Sequence, residues 1–387
     1  MPEPTSGPHP YAPWPVGRVN LPERFLPTFD SATDPSRAMS EPQSIIRELP
    51  EQVANQIAAG EVVERPASVL KELLENAIDA GARRIEVEIS EAGRKLVAVH
   101  DDGKGMTPED ARLCLKRQAT SKITCAEDID RVTTLGFRGE AIPSIASVSR
   151  FLIRTRPAAS DIGTEVAVTG GRLLDIRETG CPAGTSVEVR DLFFNLPARR
   201  KFLRAYATEQ ARLRAVFIDQ ALAHPDLGFS LKADGRELHR LPPDGTLEER
   251  IATLLGIETR TAMRPVDYRQ GDIHIGGWVG LPTFTRPDRA EQYIFVNRRP
   301  ATAPAIGYAI SSAYPRQPDG GKPVLILFID LPPQQVDVNV HPAKREVRFR
   351  RPDEVKQALR AAIEYALGLR PPPTENNPSP DTQPRPP

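Results

Sequence analysis

A chain of 387 residues is long enough for two domains, each able to bury its own core. Lys plus Arg equals Asp plus Glu, 51 of each, so the net charge of zero removes any bulk electrostatic case for nucleic acid or membrane and confines a DNA contact to a local patch. Cys114, Cys125 and Cys181 lack metal-ligand spacing and read as reduced, buried thiols. With no apolar run near the roughly 18 residues of a membrane span and no basic-then-apolar leader, the expected location is cytoplasmic.

Forty prolines far exceed the usual share of about 5%, and they concentrate at the two ends. Residues 1–42 have almost no periodicity and cannot offset their ordering entropy, so a disordered extension is expected there, and another over 371–387. Met39 just precedes the first patterned segment and is a candidate start of translation, which mass spectrometry of the native N-terminus checks.

A helix is expected over 51–59, stopping at Gly60, followed by one from Ser68 to Ala80 that Pro66 or Ser68 can begin. In the second helix Leu70, Leu73, Leu74, Ala77 and Ile78 form a core-facing stripe. Its other side carries Glu72, Glu75, Asn76 and Asp79 with only Lys71 near, which is either a solvated face or the seat of a cation. Gly81 stops the helix, a strand spans Arg84 to Ser90, and Glu91-Ala92-Gly93 turns into a strand ending at His100.

That strand runs into Asp101-Asp102-Gly103-Lys104-Gly105-Met106 and a helix begun by Thr107-Pro108. The glycines allow close backbone approach to a ligand and Asp101 can accept a hydrogen bond from an amino group, although Asp-Gly turns are more often plain connections. Thr120, Ser121 and Lys122 either hold a phosphate or form a polar loop. Gly136-Phe137-Arg138-Gly139 precedes a helix at 142–147, leaving amides that can face an anion, without the Gly-Lys-Ser/Thr ending of a Walker loop.

Strands follow at 151–156, 165–169 and 185–190. The basic run Arg199-Arg200-Lys201 faces a phosphate or DNA, or is a solvated helix start. A helix at 209–223 and a strand at 228–232 complete the first domain, and Pro242-Pro243-Asp244-Gly245 marks a boundary. Beyond it, helices at 247–255, 305–313 and 352–367 alternate with strands at 273–279, 292–296, 324–330, 336–340 and 346–350, a compact α+β module.

Four stretches, ANQIAAGEVVERPASVLKELLENAIDAGA, DDGKGM, GFRGEA and GTSVEVRDLFFNLPARRKFL, together with VDVNVHPAKREVRF, resemble the N-terminal half of the MutL family of DNA mismatch repair proteins. The resemblance runs from about Pro50 to Phe349. Gyrase, heat-shock chaperones and histidine kinases share only the Glu/Asn helix and the Asp-Gly turns, while GFRGEA and HPAK narrow the family. It implies an α+β chain: a Bergerat-type GHKL ATPase α/β sandwich over 43–243, then a ribosomal protein S5 domain 2-like module over 244–370.

By motif match the resemblance makes Glu72 the general base that orients water and Asn76 the Mg²⁺ ligand. Asp101 becomes the acceptor of the adenine amino group of ATP, supported by Gly103, Gly105 and Thr185. Glu75 and Asp79 are left as structural acids. Residues from about Cys114 to Gly139 become a lid with Thr120, Ser121, Lys122, Gly136, Phe137, Arg138 and Gly139 at the phosphates, and Lys344 reaches the γ-phosphate from the second domain. It further implies slow hydrolysis, an ATP-dependent homodimer, a MutS-type mismatch recognition partner, a downstream nuclease or helicase, and nucleoid association during repair.

The chain departs from the family in three places. After Val296-Asn297 stand Arg298 and Arg299, then Thr302, Ala303 and Pro304 where relatives often carry a further basic residue, so DNA contact falls to Arg298 and Arg299. Gln118 stands where relatives commonly have His. No endonuclease motif is present and the chain stops where a linker is expected to start, so it is expected to be a fragment or a shortened protein without constitutive dimerisation or nicking. Two other readings keep the fold: a non-hydrolysing DNA-binding adaptor, and another GHKL enzyme such as a topoisomerase subunit.

Overall fold

The computed structural model describes residues 60, 62–122, 136, 139–315, 320–337 and 346–370, all within one compact unit that spans Leu49–Pro387. Helix α1, Pro66–Asp79, starts two residues before Ser68. Pro66 occupies its first turn, where a missing N–H costs nothing, and no side chain caps it. Val69, Leu70, Leu73, Leu74 and Ala77 are buried along one stripe, each leucine contributing on the order of 2 kcal/mol. Strand β1, Arg84–Ser90, turns through Glu91–Gly93 into antiparallel β2, Leu96–Asp101. In β1, Ile85, Val87 and Ile89 are buried while Arg84 and Glu86 are exposed, so one face of the sheet is apolar.

The chain continues through α2, Pro108–Leu113, and α3, Ala141–Ser147, into four antiparallel strands. These are β3, Arg150–Arg156, β4, Gly163–Thr169, β5, Arg172–Thr179, and β6, Gly184–Arg190. After α4, Pro197–Phe202, and the long α5, Tyr206–Ala223, come β7, Gly228–Ala233, and β8, Arg236–Leu241. The eight strands lie in the order β5-β4-β3-β6-β2-β1-β7-β8, with β7 joined to β1 in parallel by the crossover through α5. Helix α1 packs on β2 and α5, and α3 on β3 and β4.

Helix α6, Leu247–Leu255, has a Thr246/Glu249 capping box and sends Ile251 and Leu254 into the first core. The buried Arg250 donates to the carbonyls of Pro225, Leu227 and Pro242, tying α6 to the end of the first sheet. After α7, Ile257–Thr261, a second sheet forms from β9, Met263–Gln270, β10, Ile273–Gly280, β12, Gln292–Val296, β13, Arg299–Pro300, and β15, Leu325–Asp330, in the order β13-β12-β15-β10-β9. Short strands β11, Thr285–Arg286, and β14, Lys322–Pro323, pair with each other, as do β16, Val336–Asp337, and β17, Arg348–Phe349.

Helices α8, Pro304–Ala313, and α9, Pro352–Ala366, pack together in a second core with Ile275, Leu327 and Ile329. Met263, Tyr293, Phe295, Val324 and Ile326 join the first core instead, so apolar packing runs across both sheets.

Besides the two-residue strands β11, β13 and β14, four elements escape the periodicity reading: β5, β8, β9 and α7. The thiols also differ from expectation. Cys114 and Cys181 are free but half-buried, and burial pushes the Cys114 thiol up to about 12, while Cys125 lies outside the described residues, as do the helix expected over 51–59 and the tails at 1–42 and 371–387. Among the described residues no helix is long and apolar enough to cross a membrane.

Candidate functional site

The polar face of α1 carries alternating charges. Lys71 Nζ lies 2.8 Å from Glu75 Oε1 and 3.3 Å from Glu72 Oε1. Burial alone would lower this ammonium; the charges of Glu75 and Glu72 outweigh it and hold the pKa above its ordinary value. One turn further on, Lys122 Nζ donates to Asn76 Oδ1 at 3.1 Å and to Asp79 Oδ2 at 2.6 Å. The Gly136 amide also donates to Asp79 Oδ2, at 3.1 Å.

Asp79 thus joins two segments of the expected phosphate loop to the helix, a role the sequence reading left as structural. The signal was its spacing, three residues after Asn76 and so on the same side. Thr120 Oγ1 accepts from the Lys122 amide at 3.2 Å, and Ser121 is exposed. Gly139 has φ +62°, and a Cβ there would lie 2.4 Å from the Ala119 carbonyl oxygen.

The second group of residues gathers at the end of β2. Asp102 accepts the amides of Arg83 and Arg84 at 2.7 and 2.8 Å, so it closes the start of β1 and leaves Asp101 as the inward acid. Asp101 pairs with Thr185 in the sheet register, and its Oδ1 accepts the Gly103 amide at 2.9 Å. Desolvation raises the Asp101 carboxyl to about 6, against the opposing pull of the Gly103 and Thr185 amides.

Thr185 Oγ1 stands 3.1 Å from Thr155 Oγ1, which accepts the Met106 amide at 2.8 Å. Sequence reasoning missed Thr155, a completely buried hydroxyl among the apolar inward residues of β3. A Cβ on Gly103 would lie 2.9 Å from both Asp101 Oδ1 and the Ala80 Cβ, and the Lys104 amide donates to the Ala80 carbonyl at 3.0 Å. The Asp-Gly turn therefore seats directly on the C-terminal end of α1. At Gly105, φ is +67° and a Cβ would meet the Arg156 carbonyl oxygen at 2.2 Å.

The structure brings Asn76, Lys122 and Gly136 to one point and Asp101, Gly103 and Thr185 to another, with the end of α1 between them. Phe137, Arg138 and Lys344 lie outside the described residues. Arg298 and Arg299 differ in exposure. Arg298 is exposed, with Nη1 3.8 Å from Asp226 Oδ1, whereas Arg299 is half-buried in the field of Glu75 and Asp79.

Residues 64–162 match the family described as histidine kinase-, DNA gyrase B- and HSP90-like ATPase, and residues 251–368 match the C-terminal domain of DNA mismatch repair proteins. The DNA mismatch repair protein MutL of Symbiobacterium thermophilum is 53% identical over 324 residues, which cover 84% of this chain and 51% of that protein. That of Opitutus terrae is 48% identical, covering 87% and 55%. Among solved structures, the Aquifex aeolicus MutL ATPase domain complexed with ADP is 30% identical, with a TM-score of 0.55 over 77% of this chain and 98% of that one. The N-terminal domain of a DNA repair protein superposes with a TM-score of 0.70 at 21% identity, a likeness of fold.

A Glu/Asn helix laid on a mixed sheet, an acid-glycine turn seated on its end and an S5-like module behind define a GHKL-class ATPase domain of the Bergerat type. The chain belongs to the MutL family of DNA mismatch repair proteins. It spans about half the length of the curated relatives it matches.

Proposed function

We propose that this chain binds Mg·ATP, hydrolyses it slowly, and uses the cycle to dimerise and to signal from a MutS-type mismatch recognition protein to a downstream nuclease or helicase. The observation that carries the reading is the seating of the Asp101–Gly103 turn on the end of the helix that holds Glu72 and Asn76. The residues fit the nucleotide and the metal. Asp101 supplies a half-buried acceptor beside a glycine whose Cβ would fill the space, and the Asn76 and Asp79 oxygens that hold the Lys122 ammonium are hard donors suited to a hard cation. Magnesium, when bound, neutralises phosphate charge.

In this reading Asp101 accepts the adenine amino group, with Gly103, Gly105 and Thr185 shaping the pocket, and rejects a base that leaves it unpaired. Glu72 orients and deprotonates the attacking water, a role worth roughly 10² to 10⁴ in rate. Asn76 offers an oxygen to the metal, Thr120, Ser121, Lys122 and the 136–139 segment meet the phosphates, and Lys344 reaches the γ-phosphate from the second module. Positioning and electrostatics suffice for this chemistry. DNA contact through Arg298 is limited to an exposed edge, and action at the nucleoid in the cytoplasm follows the family.

The test is ATP hydrolysis with sedimentation, wild type beside Glu72→Ala. Turnover is expected to fall at least 100-fold in the variant while ATP still drives compaction. Unchanged turnover removes Glu72 from its role, and a wild type that binds ATP without hydrolysing it makes the chain an adaptor.

A further inference from the structure

The core-facing rows of three neighbouring strands end in polar residues at one edge of the first sheet. In β2 the row of Val97 and Val99 ends in Asp101, in β6 that of Val189 and Val187 ends in Thr185, and in β3 that of Phe151 and Ile153 ends in Thr155. The register sets Asp101 opposite Thr185 and Thr185 opposite Thr155, and directly opposed residues of antiparallel strands share a face. The three side chains therefore form one line with Thr185 in the middle. Thr155 is completely buried, while Thr185 and Asp101 are half-buried.

Counting protons along this line gives each hydrogen bond a direction. A threonine hydroxyl has one proton to donate and two lone pairs to accept with. The Thr155 oxygen lies 3.1 Å from the Gly184 carbonyl oxygen, 2.8 Å from the Met106 amide nitrogen and 3.1 Å from Thr185 Oγ1. A carbonyl only accepts and an amide N–H only donates, so Thr155 gives its proton to Gly184 and accepts from Met106. One lone pair is left, and the contact with Thr185 is made only if Thr185 donates. Backbone fixes both ends of this arrangement: a Cβ on Gly184, at φ +115°, would lie 2.0 Å from the Asp101 carbonyl oxygen, and Met106 closes the Asp101–Gly105 turn.

The Thr185 hydroxyl, its proton taken, keeps only lone pairs for the pocket, and among the described residues it has no second hydrogen-bond partner. It then stands beside the Asp101 carboxylate as a second acceptor. A base edge that carries N–H donors is matched there, whereas a carbonyl in the same place meets two acceptors and is repelled.

We infer that Thr155 is a specificity-determining positioning residue of the nucleotide site: by taking the Thr185 proton it fixes Thr185 as an acceptor, so that the site takes a base with an amino group and refuses one with a carbonyl in its place. The inference deepens the reading of Asp101 as the acceptor of the adenine amino group, and rests on it. Thr155 touches no nucleotide in this account and acts through Thr185.

The experiment measures by calorimetry the affinity of the full chain for Mg·ATP and for Mg·ITP, which has a carbonyl where ATP has the amino group. Wild type is compared with Thr155→Val, Thr155→Ser, Thr185→Val and Asp101→Asn. Wild type is expected to prefer ATP about 100-fold or more. In Thr155→Val the freed Thr185 proton turns to the pocket, so ITP binding is expected to tighten about threefold or more while ATP binding weakens, and the preference to fall about tenfold or more. Thr155→Ser keeps the hydroxyl and is expected to hold the preference within about threefold. A merely structural loss weakens both nucleotides, so ITP binding that is unchanged or weaker in Thr155→Val overturns the inference, as does a preference lost in Thr155→Ser. If Thr155→Val does not fold, Thr185→Val decides, because it deletes the acceptor: weaker ATP with unchanged or tighter ITP supports the inference, and any other result overturns it. Asp101→Asn keeps the two readings apart. A wild-type preference in that variant takes down the assignment of Asp101 and this inference with it, whereas a preference lost there beside an unmoved Thr155→Val overturns the inference alone.

Discussion

Two acids one helix end apart, Asp101 and Asp79, are treated in opposite ways. Asp101 accepts backbone amides and is pushed up to about 6 by burial, whereas Asp79 holds the Lys122 ammonium at 2.6 Å and stands in the field of Arg299. One end of the site is shaped by close backbone fit and hydrogen bonding, the other by balanced charge. An acceptor that must discriminate a base gains from being isolated in low dielectric, where an unmade hydrogen bond is costly. A surface that must face phosphates gains from cations already held in place.

The largest effect is expected where the fit is tightest. Gly105→Ala puts a methyl 2.2 Å from the Arg156 carbonyl oxygen at φ +67°, so steric overlap adds to left-handed strain. A loss of about 3 kcal/mol or more is expected in denaturant titration, with ATP affinity falling alongside. If the variant keeps wild-type stability, the backbone fit at the base end is looser than it looks.

Asp101→Asn tests the isolated acid itself. Its folded pKa of about 6 lies above the ordinary carboxylate value. Between about pH 4 and 6 the folded protein therefore holds a proton that the unfolded chain has released, and stability falls as pH rises through that window, by up to about 3 kcal/mol. The amide removes this slope, so the variant is expected to melt a few degrees higher at pH 7.5. It also points a donor at the adenine amino group, so ATP affinity is expected to drop at least 30-fold, about 2 kcal/mol. In the wild type, affinity is expected to weaken as pH falls below about 6. A variant that loses stability and keeps affinity reverses the assignment.

How much of this was legible follows the same division. Helix α1, strand β1 and the Asp101–Gly105 turn are local patterns, and the structure returns them within two residues of the periodicity and glycine reading. Strand β5 is exposed at six of its eight positions and β8 at four of six, so neither carries the apolar alternation that marks a strand. Tertiary pairing at the sheet edges makes them strands. The charged end was legible only as residue types. Asp79 read as a surplus acid because its cation, Lys122, comes from 43 residues further along the chain, beyond the reach of helical spacing.

The smallest expected effect separates the two arginines of one turn. If charge counts at this end only where it is shielded, exposed Arg298 should matter little and half-buried Arg299 much. Arg298 sits at φ 63°, a conformation that costs a residue with a Cβ about 1 kcal/mol, and its ion pair with Asp226 spans 3.8 Å with side chains 64% and 57% exposed. Such a pair contributes roughly 0 to 1 kcal/mol. Arg298→Gly relieves the strain, loses that pair, and raises the entropy of the unfolded chain by a comparable amount. The net expectation is a change within roughly 0.5 kcal/mol of zero in paired denaturant titrations. A loss above about 1 kcal/mol would place the holding force between the modules on the exposed pair with Asp226 and leave Arg299 as its by-product.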